Sequence, residues 1–265
     1  MIGTEAKTRD LLLEFELALD ADTCDELVEE DWGRAYLCPS LPLVWDASWL
    51  AIEEPGMTVD ELVRLADRVL GGAGFAHRTV VVIDEAEGRR LLGEAAPPPG
   101  WEVELVDYML WTAESGRGPL SAVAETTLAE ILPLRRDLIH SWLPESEADP
   151  DRTVEQLLEM DRRFGEVAGD RWFVAPATAP AAGCRLLERG GIGQVEEVAT
   201  ARPARGRGLA QAVVLAAIAA SRAENEVTFI VADADDWPRL LYEKLGFSTV
   251  GNLHVLRRKP QPPAR

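Results

Sequence analysis

The chain has 265 residues, 47% of them hydrophobic, which suits one large or two small domains with a real core. Its formal net charge of −19 argues against nucleic acid as a partner and is compatible with a cationic or amine partner. The three scattered cysteines, Cys24, Cys38 and Cys184, form no disulfide framework and no metal spacing.

Residues 4–30 are acidic and only partly periodic. Leu11, Leu12, Leu13, Phe15, Leu17 and Leu19 cannot share one helical face, so helix and strand fit this stretch equally. Short strands are expected at residues 31–39 and 48–53. Thr58 or Asp60 caps a helix over residues 61–70, closed by Gly71 and Gly72. The run at 79–83 reads as a strand and 85–95 as a helix, and Pro97-Pro98-Pro99-Gly100 breaks the chain. Residues 101–112 alternate, Glu102 and Glu104 with Val103 and Leu105, as a long strand does. Ser115-Gly116-Arg117-Gly118-Pro119 is the best linker, and it divides the chain into residues 1–115 and 120–265.

After the linker a strand is expected at 122–126, then a helix from Thr126 or Thr127 to about His140, and a second helix over 154–168. Strands follow at 172–175 and 184–188. Residues 195–200 form another, rich in β-branched residues. Pro203 ends it, and Arg205-Gly206-Arg207-Gly208 leads into an Ala- and Leu-rich helix from Leu209. Strand, glycine loop and helix N-terminus make an anion site. The first helical N–H groups lack partners, the helix dipole is positive there, and glycine lets backbone approach a phosphate. The loop lacks the lysine of a P-loop, and Gln211 stands where a dinucleotide fingerprint needs Gly or Ala. Residues 226–232 read as a buried parallel strand. Pro238 suits a helix start, residues 239–245 a helix, Gly246 its C′ residue, and 247–255 a final strand.

Two motifs in this half carry a family resemblance. Arg205 through Gly208 to Ala210 fits Arg/Gln-x-x-Gly-x-Gly/Ala, and Leu241-Tyr242-Glu243-Lys244-Leu245-Gly246-Phe247 follows the next strand. In that order and spacing they resemble the GNAT family of N-acetyltransferases. The resemblance implies an α/β fold with a mixed sheet. The GNAT acyl-CoA N-acyltransferase fold would occupy residues 120–265, and a degenerate GNAT-like α/β domain without the motif residues 1–115, as in tandem members. It implies acetyl-CoA as cofactor and a small-molecule or peptide amine as acceptor, with monomer and homodimer both open. The alternative is a non-catalytic acyl-CoA-binding or regulatory module.

Residue by residue, the resemblance gives the backbone of Val198, Ala199 and Thr200 to the pantetheine arm. It gives the N–H groups of Arg205, Gly206, Arg207, Gly208, Leu209 and Ala210 to the pyrophosphate. Tyr242 corresponds to the tyrosine that serves as general acid to the thiolate. The sequence departs from the family pattern at Asp235 and Pro238, where Asn and Ala are common. For the base, Glu196 and Glu197 are the only carboxylates on their strand. They point to opposite faces unless a bulge intervenes, so either stands as candidate. Gln194, at the position of the base in histone-type members, cannot take a proton. His77, His140 and His254 show no metal-ligand spacing, and no metal is expected. No charged-then-apolar leader is visible, and the longest apolar run, residues 209–220, is too short for a bilayer span. A cytoplasmic protein with no membrane partner is the expectation.

Overall fold

The apolar residues that fit no single helical face belong to a helix nonetheless. In the computed structural model, which describes residues 2–93, 96–113, 121–145 and 147–260, helix α1 spans Ile2–Thr23. Leu12, Leu13, Phe15, Leu17 and Leu19 are all buried on it. A helix that is apolar on several sides needs neighbours on several sides, and α1 packs against both the sheet and a second helix, α5 (Pro150–Val167).

The first half continues with β1 (Glu26–Glu30), β2 (Gly33–Leu37), β3 (Trp49–Ile52), α2 (Val59–Ala66), β4 (Arg78–Val82), α3 (Glu85–Leu92) and β5 (Glu102–Trp111). The second half holds β6 (Ala124–Thr126), α4 (Leu128–Trp142), α5, β7 (Gly169–Ala175), β8 (Ala182–Arg189), β9 (Ile192–Thr200), α6 (Leu209–Glu224), β10 (Val227–Asp233), α7 (Pro238–Leu245) and β11 (Phe247–Arg258). The local signals set these boundaries. Thr58 and Thr127 each make a capping box with a glutamate three residues on, and Gly246 ends α7 at φ 100°. Residues 115–119, the expected linker, lie outside the described residues.

Among the described residues the strands form one 11-stranded mixed sheet in the order β1-β2-β3-β4-β11-β5-β10-β9-β8-β7-β6. The order repeats itself. In the first half, β1, β2 and β3 are antiparallel neighbours, and β3 runs parallel to β4 across the crossover helix α2. In the second half β7, β8 and β9 do the same, and β9 runs parallel to β10 across α6. The fifth strands are exchanged. β5 pairs with β10, and β11 pairs with β4, and the two crossing strands pair with each other in the middle.

Alternating residues send two cores to opposite faces. On one face α2 and α3 cover Leu50, Val80 and Leu256, and α6 and α7 cover Met109, Val195 and Ile230. On the other, α1 and α5 cover Trp49, Tyr108, Phe229 and Val255.

Candidate active site

The two parallel strands β9 and β10 stay together only briefly. Residues Ile192 to Val195 pair with Val227 to Ile230, and among the described residues the pairing of the two strands ends there. From Glu196 to Thr200, β9 keeps β8 on one edge and opens a gap on the other. Val198, Ala199 and Thr200 border this gap. Thr200 Oγ1 is buried there without a hydrogen-bond partner, so the gap fits a ligand that brings polar atoms of its own.

At the far end of β9 the chain turns through Arg202–Ala204 and enters α6. Gly206 and Gly208 take φ of 74° and 75°, where a side chain is disfavoured. Gly208 is the N-cap of α6 and offers no side chain to the first turn, which leaves the leading N–H groups to another acceptor. Leu209 anchors the helix in the core and Ala210 is half-buried, while Arg205, Gly206 and Arg207 are exposed. Arg205 Nε donates to the Thr200 carbonyl at 3.3 Å, and Arg202 Nη2 donates to the Ser141 carbonyl at 2.7 Å. Positive charge, αL glycines and open N–H groups suit a pyrophosphate.

In the topologically matching loop of the first half, carboxylates of the chain accept from backbone N–H groups. It carries Glu53 and Glu54, the Gly56 N–H donates to Glu87 Oε1 at 2.7 Å, and the Thr58 N–H donates to Glu61 Oε2 at 2.8 Å.

Glu196 and Glu197 meet on one face because β9 bulges. Glu197 has φ 55°, and the register with β8 shifts between Gly183 and Arg185, so the usual alternation fails there. Both carboxylates line a cavity of ≈ 440 Å³ on the α1 and α5 side of the sheet. Glu197 Oε2 lies 2.6 Å from Arg135 Nη1, and Arg135 also grips Asp161 through Nε at 2.9 Å. Arg185 donates from Nε to Asp170 at 2.7 Å and stacks, like Arg135, on the Trp172 ring. Glu196 gets less help: its Oε1 is 3.6 Å from Arg185 Nη1. Burial pushes its carboxyl up to about 8, the Arg185 charge opposes this, and Glu197 and Asp161 add repulsion.

Tyr242 sits on the opposite face, buried on α7 with its ring edge toward Phe247 at 6.1 Å. Burial raises its phenol well above the usual range, so it stays protonated. The first half helps to hold α7 in place, since Arg239 Nε donates to the buried Asp107 of β5 at 2.5 Å. The structure thus places the two glutamates together and Tyr242 apart from them, across the sheet.

Sequence reasoning missed the other walls of the cavity: Glu16 and Asp20 on α1, Trp49 on β3, Tyr108 on β5, and Arg185 on β8. The spacing of Leu13, Glu16, Leu17 and Asp20, one helical stripe, was the available signal. Gln194, set aside as a base, donates from Nε2 to Glu16 Oε1 at 2.6 Å.

The model of the acetyltransferase (GNAT) family matches residues 134–247. This segment belongs to the GNAT family. The match takes in the glycine loop, the two glutamates and Tyr242, and its GNAT fold supports acyl transfer from an acyl-CoA in general. No curated protein matches the chain. Among solved structures, a functionally unknown conserved protein from Staphylococcus epidermidis is similar, with TM-score 0.68 and 11% identity over 91% of this chain and 96% of that one. A GCN5-related N-acetyltransferase from Kribbella flavida is also similar, with TM-score 0.59 and 17% identity over 94% and 93%. At such identities the likeness is one of fold. It extends over both halves of the chain. No helix among the described residues is long and apolar enough to cross a membrane.

Proposed function

We propose that the chain transfers an acetyl group from acetyl-CoA to a primary amine, with Glu196 as the base and Tyr242 as the acid. The observation that carries the reading is Glu196. It is a carboxylate with a proton affinity matched to neutral pH, in a cavity large enough for an acceptor and on the strand that borders the gap. Glu197 is bound to Arg135 and is the weaker candidate.

Acceptor and thioester would meet through the gap between β9 and β10. The loop residues Arg205 to Ala210 would hold the pyrophosphate, and the open edge of Val198 to Thr200 the pantetheine arm. Glu196 takes a proton from the ammonium, directly or through one water, and frees the nitrogen lone pair. A carbon–nitrogen bond forms and the carbon–sulfur bond breaks. Tyr242, a neutral phenol, donates its proton to the departing thiolate; the second proton lost by the acetylated nitrogen returns through water to the phenolate, and Glu196 passes its own proton to solvent.

The test is release of free thiol from acetyl-CoA with a panel of primary amines, repeated with Glu196→Gln. Amine-dependent release that the substitution lowers supports the reading. Stabilisation by acetyl-CoA without release from any amine would leave a binding module instead.

A further inference from the structure

Asp161 is a buried carboxylate in the apolar stripe of α5, one or two turns from Val154, Leu158 and Phe164. A charge in such a place is costly unless it is paired, and Asp161 meets two guanidiniums. Its carboxylate takes Arg135 with both oxygens, Nε at 2.9 Å and Nη2 at 3.3 Å. Its backbone carbonyl accepts from Arg185 Nη2 at 2.6 Å. The two arginines share the Trp172 ring, 5.7 and 5.3 Å from its centroid. Trp172 Nε1 in turn donates to Asp170, which also holds Arg185 Nε.

Each arginine reaches one glutamate of β9, on unequal terms. Arg135 Nη1 is 2.6 Å from Glu197 Oε2. Arg185 Nη1 stands between two carboxylates, 3.5 Å from Asp161 Oδ1 and 3.6 Å from Glu196 Oε1, and hydrogen-bonds to neither. Asp161 and Glu196 thus compete for one nitrogen. The cluster also sets four carboxylates, Asp161, Asp170, Glu196 and Glu197, against two guanidiniums. Three of the four have a guanidinium nitrogen close by, at 2.9, 2.7 and 2.6 Å. Excess negative charge away from bulk water is relieved by a proton, and Glu196, the least well paired, is where it goes.

We propose that Asp161 is the positioning residue of this site. It seats Arg135 against Glu197 and keeps Arg185 from closing on Glu196, so that one of two adjacent glutamates stays free to take a proton. This rests on the base role of Glu196 given above. The other charged groups that face Glu196 are Glu197 on β9 and Glu16 and Asp20 on α1. All three are acidic, so Arg185 is the cation that Asp161 withholds.

Asp161→Asn keeps the shape and an acceptor oxygen for Arg135 but removes the charge. Arg185 Nη1 then turns to Glu196, and one repulsion is lost. Both changes favour the carboxylate. The rising limb of kcat/KM against pH, expected at about 8 in the parent, moves about one pH unit or more toward acid. Asp161→Glu, which restores the charge, moves it back. A residue that only holds the fold would lower activity or melting temperature and leave the limb in place. The same titration is read without turnover from the Glu196 carboxyl carbon by NMR, with Glu196→Gln identifying the signal.

A limb and a Glu196 signal that stay in place in Asp161→Asn, or move toward alkali, overturn the proposal. Asp161→Ser takes the place of the asparagine variant if that one does not fold. Wild type gives a check that needs no variant of Asp161: its carboxylate is ionised while Glu196 titrates, and an Asp161 signal that titrates together with that of Glu196 overturns the proposal. A Glu196 signal shifted by Asp161→Asn, with the activity profile unchanged in Glu196→Gln, upholds the role of Asp161 and defeats Glu196 as the base. Loss of the limb in Glu196→Gln with no shift in Asp161→Asn does the reverse.

Discussion

Glu196 and Glu197 are neighbours on β9, yet both carboxylates reach the same cavity. The left-handed φ of Glu197 turns one residue out of the pleat, and Arg135 and Arg185 receive the pair from one side. The two residues thereby acquire different chemistry. Glu197 is locked by a guanidinium at 2.6 Å, and Glu196, with a cation no nearer than 3.6 Å among the described residues, holds its proton into the neutral range.

Glu196→Gln therefore lowers kcat/KM by about a hundredfold to ten-thousandfold, the usual reach of a positioned base. The wild-type profile rises with pH through an apparent pKa near 8, and the variant loses that limb. Stability moves the other way. A carboxyl whose native pKa is raised binds more protons in the native state than in the unfolded state between the two values, so its contribution is present below the unfolded pKa and is lost as pH rises toward 8. Glu196→Gln should melt higher than wild type at pH 8, with a smaller difference at pH 5. A parent pH profile retained by the variant would exclude Glu196 as the base.

Arg135 is buried between Asp161 and Glu197. Arg135→Met strands Glu197 and leaves Asp161 with Arg185 alone, at 3.5 Å, and a urea titration should show a loss of about 3–5 kcal/mol. A loss under about 1 kcal/mol would mean that solvent already screens the cluster.

Gly208 starts α6 at φ 75°. Gly208→Glu puts a strained, negatively charged side chain where phosphate is expected, and should abolish the rise in melting temperature caused by acetyl-CoA. The first-half loop is filled by Glu87 and Glu61, so calorimetric titration should give one site per chain. Two equivalent sites would refute the comparison of the loops.

Tyr242→Phe keeps the ring packed against Phe247 and removes only the hydroxyl. Loss of the proton donor lowers turnover roughly a hundredfold or more while the KM for acetyl-CoA hardly changes. Full turnover in a folded variant would leave thiolate protonation to water.

Much of this architecture is local and therefore legible. Gly206, Gly208, Pro238 and Gly246 punctuate the second half, and the helices and strands between them fall within a few residues of their expected places. What stayed hidden depends on contacts distant in sequence. α1 has no apolar stripe to read because it is covered on several sides, and Glu16 and Asp20 gain meaning only when Gln194 and Trp49 are brought to them from other strands. The parity of Glu196 and Glu197 turned on one dihedral angle. The exchange of β5 and β11 leaves no local mark, since each reads as an ordinary long strand.

That exchange has a consequence for how the protein is made. As the chain leaves the ribosome, β4 and β5 are complete well before β11, the strand that must lie between them, has been synthesised. During that interval the N-terminal half carries two open strand edges at what will become the centre of the sheet, and open edges invite pairing with other chains. The nascent first half is thus a client for chaperones until the last strand is threaded home, and synonymous changes that slow translation after residue 111 should lower soluble yield without altering the finished protein.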